Sequence, residues 1–366
     1  MIIMKDIFDV CDFGDLKLNS RIVRTGLWES QKEMGGLSPE IFLRYERLAK
    51  NHVGLIVTEL ISMYPHDRFS DYSHSINNPK FIKEFKYLTD ITHQQNVPIL
   101  AQLGFVNCNV NGKQNVSVND LEIEDIRQIQ SDFIVAAKKI SFAGFDGIQL
   151  AMGNNYFLSK VMDSKENKRK DDYGGSTLNR LRMILELIKV LKANTDLHIS
   201  CRINVQEDIL EIAQLLEKVG SDSLQITKPS SPQYFRKDSD NKNILFDITD
   251  EISKAVDIPV ILGGGLSDMK SINELINSTD IDFVSMQRPF VYNPTFLSQW
   301  KDGTEVESLC NTCNNCYWKK TSTCHIIHED EEWYFMYSPV IYNKKCKYCF
   351  DDIHGFIMNK LFYYYT

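Results

Sequence analysis

The sequence lacks long hydrophobic runs, an excess of positive charge and a dinucleotide-binding glycine motif after its first predicted strand. No apolar run approaches the roughly 20 residues of a membrane-spanning helix, and the apolar stretch at residues 1–10 is too short for a secretory signal. We therefore expect a cytoplasmic protein with no membrane partner. The formal net charge is −8, with 41 Lys and Arg against 49 Asp and Glu. This balance argues against a nucleic-acid binder, which usually carries a basic face.

Eight short apolar runs alternate with amphipathic helical patterns along the chain. These predicted strands cover residues 21–25, 54–60, 97–103, 145–151, 197–203, 222–227, 258–264 and 281–286. Continuous apolar runs are typical of parallel strands that are buried on both faces, and eight β-α units predict a (β/α)8 TIM barrel. An open doubly wound sheet is the alternative, but it would more often show six or fewer strands and a glycine fingerprint after the first.

The pattern ends near Gly303, and the composition then changes to one rich in Cys, Tyr, Lys and Asn. We therefore predict a barrel over residues 1–305 and a Cys-rich C-terminal extension over residues 306–366. The role of the extension is open, and packing on the barrel, homo-oligomerisation and loose order are all compatible with its composition.

Functional groups of such barrels lie on the loops after the strands, so the residues at the strand ends carry the functional prediction. Gly26 follows strand 1, where it either lets a ligand approach the backbone or is a plain loop glycine. Gln102 ends strand 3; its amide suits the edge of a heterocycle, or it bonds nearby backbone. Arg202 on strand 5 needs a compensating anion or a salt bridge across the barrel.

The ends of strands 7 and 8 predict a phosphate site. Strand 7 ends in three glycines, residues 263–265, and strand 8 is followed by Gln287 and Arg288. Loops at these two places frequently bind phosphate through backbone N–H groups. Together with Gln102 and Arg202, they indicate a phosphorylated heterocyclic cofactor across the barrel mouth.

The segment GFDGIQLAMGNNYFLSKVMDSKENKRKDDYGGSTLNR, residues 144–180, carries a family resemblance. With RIVRTGLWES, VPILAQL, IPVILGGGL and DFVSMQRPFVYNP, it resembles the Old Yellow Enzyme family of FMN-dependent NAD(P)H oxidoreductases over about residues 5–318. The resemblance implies an enzyme that takes hydride from NAD(P)H onto FMN and passes it to a small electron-poor acceptor such as an enone. It also implies that these residues bind FMN: Thr25, Gly26, Gln102, Arg202, Gly264, Gly265, Gln287 and Arg288.

The same resemblance implies the catalytic pair and the substrate pocket. Tyr156 matches the tyrosine that protonates the substrate α-carbon, and Asn154 matches one of two side chains that hydrogen-bond its carbonyl group. Trp28, Ala151 and Phe105 are predicted to line the substrate pocket. The polar residues Arg169, Asp171, Asp172 and Arg180 are predicted to brace the loop after strand 4, with Ser176 as a helix N-cap.

The sequence departs from the family pattern at four positions. Ala151 stands where the family usually has a histidine that donates to the substrate carbonyl. Either the substrate lacks a carbonyl at that point, another donor replaces the histidine, or enone reduction is weak. Asn155 replaces the glycine before Tyr156, Leu60 replaces a small residue against the flavin, and Gln287 replaces the first glycine of a Gly-Arg pair. These departures keep a degenerate flavin-binding barrel with little turnover as an alternative.

Six of the nine cysteines lie after residue 309. Cys310, Cys313, Cys316 and Cys324 have the spacing C-x2-C-x2-C-x7-C, and similar cysteines in the longer dienoyl-CoA reductases ligate a [4Fe–4S] cluster. An iron–sulfur cluster, a zinc ion and a vestigial thiol group all remain open for this chain.

Overall fold

The structure is a computed structural model. It describes residues 4–26, 32–33, 36–64, 67, 74–228, 241–311, 313, 316 and 324. The chain divides into two compact units, Met1–Ser322 and Thr323–Thr366. The predicted boundary at residue 305 falls before the end of the first unit. Most of the Cys-rich extension lies outside the described residues. No helix in the described part of the chain is long and apolar enough to cross a membrane.

Thirteen strands and ten α-helices are described. In chain order the strands are β1 (Cys11–Phe13), β2 (Leu16–Leu18), β3 (Ile22–Arg24), β4 (Lys32–Glu33), β5 (Gly36–Leu37), β6 (Leu55–Ser62), β7 (His74–Ser75), β8 (Ile99–Gly104), β9 (Gly147–Met152), β10 (His198–Asn204), β11 (Ser223–Thr227), β12 (Val260–Gly263) and β13 (Phe283–Met286). The helices are α1 (Pro39–Lys50), α2 (Phe81–His93), α3 (Ile123–Phe142), α4 (Phe157–Met162), α5 (Thr177–Asn194), α6 (Ile209–Lys218), α7 (Asn241–Ala255), α8 (Met269–Ser278), α9 (Arg288–Tyr292) and α10 (Phe296–Lys301).

Eight parallel strands close into a barrel, which confirms the predicted TIM-barrel architecture. Their order around the barrel is β3, β6, β8, β9, β10, β11, β12 and β13, and β3 pairs with both β13 and β6 to close the ring. The short β7 extends the sheet by pairing with the end of β6. All eight predicted apolar runs overlap these strands, because strands covered by helices outside and side chains inside leave few positions for polar residues.

The core has two parts, as the alternation of side chains along a strand requires. Alternate residues face outward and pack against the helices in one large cluster. The others face inward, where Val23, Val57, Leu100 and Ile261 fill one end of the barrel. The β1–β2 hairpin closes that end with Phe13 and Leu18, both fully buried.

Helix ends follow the predicted signals. Gly144 has φ +80° directly after α3, a left-handed position that glycine adopts without strain. Ser176 precedes α5 and its hydroxyl accepts a hydrogen bond from the Asn179 N–H, which confirms the predicted N-cap. Helix α3 begins with a reciprocal capping box between Glu122 and Asp125.

The barrel wall carries one irregularity beside the mouth. The register between β6 and β8 shifts between Val57 and Leu60. Within this bulge the Thr58 hydroxyl accepts a hydrogen bond from the Gln102 N–H at 3.1 Å, and Glu59 lies 3.0 Å from His74 on β7. Bulges re-aim side chains next to functional sites, and here the shift brings Leu60 into register with Gln102.

Candidate active site

A chain of three buried glutamines crosses the inside of the barrel. Nε2 of Gln102 donates to Oε1 of Gln149 at 2.8 Å, and Nε2 of Gln149 donates to Oε1 of Gln225 at 3.0 Å. Nε2 of Gln225 then donates to the hydroxyl oxygens of Ser285 at 2.8 Å and of Thr25 at 2.9 Å. We call Gln102, Gln149 and Gln225 the glutamine chain. It links several strands of the barrel through side-chain amides that hydrogen-bond one another.

Gly26 packs directly against this chain. A Cβ at Gly26 would lie 2.3 Å from the carbonyl oxygen of Thr58 and 3.2 Å from Nε2 of Gln102. Any side chain would therefore displace the β6 backbone or the Gln102 amide. Glycine is required here by the close approach of the two strands.

Arg202 lies on β10 inside the barrel and is 8% exposed. In the strand register it pairs with Ala151 on β9 and Gln225 on β11. Its positive charge acts on the Tyr156 phenol. The structure thus brings together Arg202 and Tyr156, which the sequence placed at the ends of different strands, and sets them beside the glutamine chain.

Tyr156 is a protonated phenol at neutral pH. Burial raises the pKa of its hydroxyl above the ordinary value of 10.0, while the Arg202 charge and a hydrogen bond with the Asn154 side chain act in the opposite direction. The side chain is 8% exposed. A buried phenol held in its neutral form can donate a proton to a ligand.

The turn before Tyr156 keeps a left-handed backbone without glycine. Asn154 has φ +54° and Asn155 has φ +60°, and asparagine is among the few residues that tolerate this region. The replacement of the usual glycine by Asn155 therefore retains the left-handed conformation. The Tyr156 N–H donates to the Gly153 carbonyl at 3.0 Å and closes the turn.

Ala151 occupies a small apolar corner of the barrel interior. It is fully buried, and a Cβ at Gly104 would lie 2.9 Å from the Ala151 Cβ and 3.5 Å from a Leu60 methyl group. This corner contains no hydrogen-bond donor from a side chain at position 151. Asn154 is the described residue that remains from the predicted pair of carbonyl donors.

The predicted phosphate end is a turn between β12 and α8 next to the end of β13. Gly264 and Gly265 have φ +86° and +99°, and a Cβ at Gly264 would meet only a carbonyl oxygen 3.9 Å away. Gln287 has φ −133°, so the position does not require glycine. Its Nε2 donates to the Gly26 carbonyl at 2.9 Å and ties this end to the loop after β3. Arg288 is the first residue of α9.

Two polar networks support the loops around the mouth. Buried Asp67 accepts hydrogen bonds from the N–H groups of Val106 and Asn107, each at 2.7 Å, and so fixes the loop after β8. In the predicted brace, Arg169 contacts Asp171 and donates to the carbonyl of Leu121 at 2.6 Å.

The other two predicted brace residues, Arg180 and Asp172, contact residues outside the predicted set. Arg180 pairs with Asp208 and donates to the Met162 carbonyl at 2.8 Å. Asp172 contributes its backbone carbonyl, which accepts from Arg182.

Phe105 lies in the outer core. Its ring stacks on Phe157 with centroids 4.9 Å apart and contacts Tyr64 and Phe133, and it is 1% exposed. Since Gly104 faces inward, the next residue on the strand faces the helices. The structure therefore places the Phe105 side chain in the core between the barrel and the helices. Trp28 lies outside the described residues.

Sequence reasoning missed two members of the glutamine chain. Gln149 precedes Ala151 by two residues, and Gln225 precedes Thr227 by two residues, so each shares the inward face of its strand. A glutamine in an otherwise apolar strand was the available signal. Only the register shows that the three amides meet.

Apart from Cys11, the described cysteines fall into two groups. Burial raises the pKa of the Cys108 and Cys201 thiols to about 12, so both are protonated at neutral pH. Cys310, Cys313 and Cys316 belong to the first unit and Cys324 to the second. Within the described residues no three His, Cys, Asp or Glu side chains form a group that could hold a metal ion. The predicted metal site stays a prediction.

Comparison with known proteins identifies the family. The sequence profile of the NADH:flavin oxidoreductase / NADH oxidase family matches residues 6–307. The chain is 26% identical to an NADH oxidase of Thermoanaerobacter brockii over 84% of this chain, but it spans only 53% of that protein. It is 23% identical to a 4,4'-dithiodibutanoate disulfide reductase of Rhodococcus erythropolis, with 85% of this chain and 92% of that protein covered.

A solved structure supports the fold independently. The old yellow enzyme homologue from Zymomonas mobilis superposes with a TM-score of 0.70 at 20% sequence identity, covering 84% of this chain and 96% of that chain. At this identity the likeness establishes the barrel architecture alone.

Proposed function

Because the chain belongs to the NADH:flavin oxidoreductase / NADH oxidase family, we propose that it takes hydride from NADH or NADPH onto bound FMN and passes it to a small electron-poor organic acceptor. The observation that carries this proposal is Arg202, a buried cation inside the barrel beside the amide chain and the Tyr156 phenol. A buried positive charge favours a ligand that becomes electron-rich.

The donor set of the barrel interior fits the ring of FMN. Gln102 offers an amide, which matches the alternating donors and acceptors of a pyrimidine edge. Arg202 offers a permanent positive charge for a ring that accumulates negative charge on reduction. Thr25 and Gly26 flank the glutamine chain, and we assign both to the same ring site.

The turn after β12 fits the phosphate. Consecutive left-handed glycines turn backbone N–H groups toward one side, which is a common way to bind an anion. We assign Gly264 and Gly265 to this role, with the backbone of Gln287 and the charge of Arg288 completing the site. The negative φ of Gln287 means that the loss of a glycine there costs no backbone strain.

Bound FMN supplies hydride transfer between the nicotinamide and the acceptor. The chain's own groups then bind and protonate the acceptor. Asn154 hydrogen-bonds a carbonyl or nitro oxygen and so stabilises negative charge that develops there. Tyr156 donates the phenol proton to the substrate α-carbon, which is consistent with a raised pKa.

Ala151 shapes the choice of acceptor. Removal of one donor from a pair that stabilises an oxyanion commonly lowers the rate about 100-fold to 1,000-fold. We therefore propose that simple enones are poor substrates. A disulfide is a second candidate acceptor, since its reduction by hydride gives one thiolate and one thiol and develops no enolate oxygen. The relative from Rhodococcus erythropolis is named for such a reaction.

The test is the absorption spectrum of the purified protein, recorded anaerobically before and after NADH or NADPH. A bound flavin whose visible band is bleached by either nucleotide is the expected result. A flavin band that persists would leave a degenerate flavin-binding barrel, and a protein without affinity for FMN would overturn the proposal. Reoxidation by cyclohexenone compared with 4,4'-dithiodibutanoate then separates the two acceptors.

Four further assignments rest on the sequence. We propose a cytoplasmic protein that has a small-molecule substrate, does not bind nucleic acid, and is capable of homo-oligomerisation through its C-terminal extension. Iron, zinc and acid-labile sulfide analysis of the full chain tests the metal site at Cys310, Cys313, Cys316 and Cys324. An iron–sulfur cluster would favour a two-centre enzyme similar to the dienoyl-CoA reductases.

A further inference from the structure

Each amide of the glutamine chain donates its hydrogen bond toward the Ser285 end. We propose that Gln149, Gln225 and Ser285 are positioning residues that hold the Gln102 amide with its carbonyl oxygen available to a ligand, so that the site selects a heterocycle that offers an N–H group there. The inference rests on the proposed function, because FMN is the heterocycle concerned.

Ser285 anchors one end of the chain. Its hydroxyl donates to the Leu262 carbonyl at 3.1 Å, and a serine hydroxyl has one proton. The Ser285 oxygen therefore accepts from its other neighbour. That neighbour is Gln225, whose amide nitrogen must face Ser285 at 2.8 Å, and its carbonyl oxygen then faces Gln149.

The orientation of the Gln225 amide fixes the orientation of the Gln149 amide. Amide oxygen and nitrogen are distinguished by their hydrogen-bond partners. Because the Gln225 oxygen faces Gln149, the Gln149 nitrogen must point toward it, at 3.0 Å. The same nitrogen also reaches the Ser200 hydroxyl at 3.5 Å. Both polar contacts of this nitrogen lie on the Gln225 side, and the Gln149 oxygen is left facing Gln102.

Gln102 receives its orientation from Gln149. Its nitrogen donates to the Gln149 oxygen at 2.8 Å, so its oxygen lies on the opposite side of the planar amide. Among the residues that the structure describes, none donates a hydrogen bond to this oxygen. Rotation of the amide by 180° would set two carbonyl oxygens against each other, since Gln149 is already held from its other end.

The orientation predicts which ligand is accepted. A carbonyl oxygen accepts hydrogen bonds and gives none, so it favours a ring N–H and disfavours a ring atom without a proton. The pyrimidine part of a flavin has one such group, at N3. A flavin that carries a methyl group at N3 loses the donor while it keeps the redox-active ring and the phosphate.

The experiment compares FMN with N3-methyl-FMN in binding to the full-length apoprotein, followed by quenching of flavin fluorescence. We expect the wild-type protein to bind FMN roughly 10-fold to 100-fold more tightly, as expected for loss of one buried hydrogen bond. Gln102→Leu should remove most of this preference. Gln149→Leu should reduce the preference to about the same level, although Gln102 is intact, because the amide has lost its orientation.

Two conservative variants separate positioning from a general structural effect. At a pH where the new side chain is neutral, Gln149→Glu should keep the preference for FMN, because its hydroxyl donates to the Gln225 oxygen while its carbonyl oxygen still accepts from the Gln102 nitrogen. A chain that runs in the opposite direction would present the Gln102 nitrogen to the ligand and predicts that the wild-type protein has no preference for FMN. Ser285→Ala should lower the ratio of the two dissociation constants, while Ser221→Ala should leave it unchanged. Ser221 is the matched control, since its buried hydroxyl donates to a backbone carbonyl and takes no part in the glutamine chain.

The outcomes are distinct. Equal affinity of the wild-type protein for both flavins, or a preference that survives Gln149→Leu in a folded protein, would overturn the inference. Loss of the preference in neutral Gln149→Glu would overturn the positioning role of Gln149. Failure of the wild-type protein to bind FMN at all would overturn the proposed function itself, and the inference with it.

Discussion

Ala151 on β9 and Arg202 on β10 are paired in the parallel register of the barrel, and both face its interior. The arginine supplies a permanent charge, whereas the alanine supplies neither charge nor hydrogen-bond donor. A residue at position 151 would lie against Gly104, which has no side chain. The proposed site therefore places a permanent positive charge, which we assign to the cofactor, next to an apolar corner where a carbonyl acceptor would need a hydrogen-bond donor.

Restoring a donor at position 151 should improve enone reduction. We expect Ala151→His to raise kcat/KM for cyclohexenone by roughly 10-fold to 100-fold, because an added hydrogen bond stabilises the developing enolate oxygen. The rate of flavin reduction by NAD(P)H should change little. Steady-state kinetics and anaerobic stopped-flow measure the two quantities. Ala151→Leu is the control of similar bulk without a donor, and an equal gain in this variant would contradict the explanation.

Removing the Tyr156 hydroxyl should affect one half-reaction. We expect Tyr156→Phe to slow reoxidation by an activated alkene by about 100-fold or more, a typical contribution of a positioned acid, and to leave reduction by NAD(P)H intact. Since burial raises the phenol pKa above 10.0, the proton is retained as pH rises from 7 to 9.5. The alkene half-reaction should therefore show no loss from Tyr156 ionisation in this range. A decline with an apparent pKa near 8 in wild type, absent in Tyr156→Phe, would contradict the raised pKa.

The architecture was predictable because parallel strands that are buried on both faces appear in the sequence as continuous apolar runs. All eight barrel strands follow from apolar runs such as 97–103, and the region of the site follows from the rule that function lies at the strand ends. Arg202 stood out because a charge inside an apolar strand is costly without a partner.

The contacts inside the barrel were less predictable. That Gln149 and Gln225 join Gln102 depends on the relative register of β8, β9, β10 and β11, which a single sequence does not encode locally. Phe105 was assigned to the pocket from the family resemblance, but its ring packs in the outer core after Gly104. The bulge at Thr58 and Glu59 likewise depends on the pairing of β6 with β8.

Loss of the Asp67 carboxylate should loosen the loop after β8. Asp67→Asn replaces one of two acceptors with an amide nitrogen that faces a backbone N–H. An unsatisfied buried donor costs about 1–3 kcal/mol, so we expect a lower Tm and faster hydrogen exchange at Val106 and Asn107. Asp90→Asn, at an exposed pair with Lys86, is the control. Equal protection of the two amides in wild type and Asp67→Asn would argue against the clamp.

The free energy of unfolding should depend on pH through Asp15, which lies at the closed end of the barrel. His198 is fully buried on β10; its Nδ1 lies 2.6 Å from the Asp15 carboxylate and its Nε2 lies 2.9 Å from the Ser223 hydroxyl. The hydrogen bond with His198 lowers the pKa of Asp15 below its ordinary value of 3.8. A carboxylate with a lowered pKa stabilises the fold above the unfolded-state pKa, and this contribution is lost as pH falls through the folded-state pKa.

We therefore expect Asp15→Asn to lower the free energy of unfolding at pH 7, and the difference from wild type to shrink as pH falls below about 4. Because the Asp15 side chain is 52% exposed, solvent screening limits the effect to about 1 kcal/mol or less. Urea unfolding at a series of pH values measures it. Asp12→Asn, whose pair with Lys17 is exposed on both sides, should leave stability unchanged. A difference for Asp15→Asn that grows toward low pH would contradict the proposed linkage, because the paired carboxylate would then be destabilising the fold.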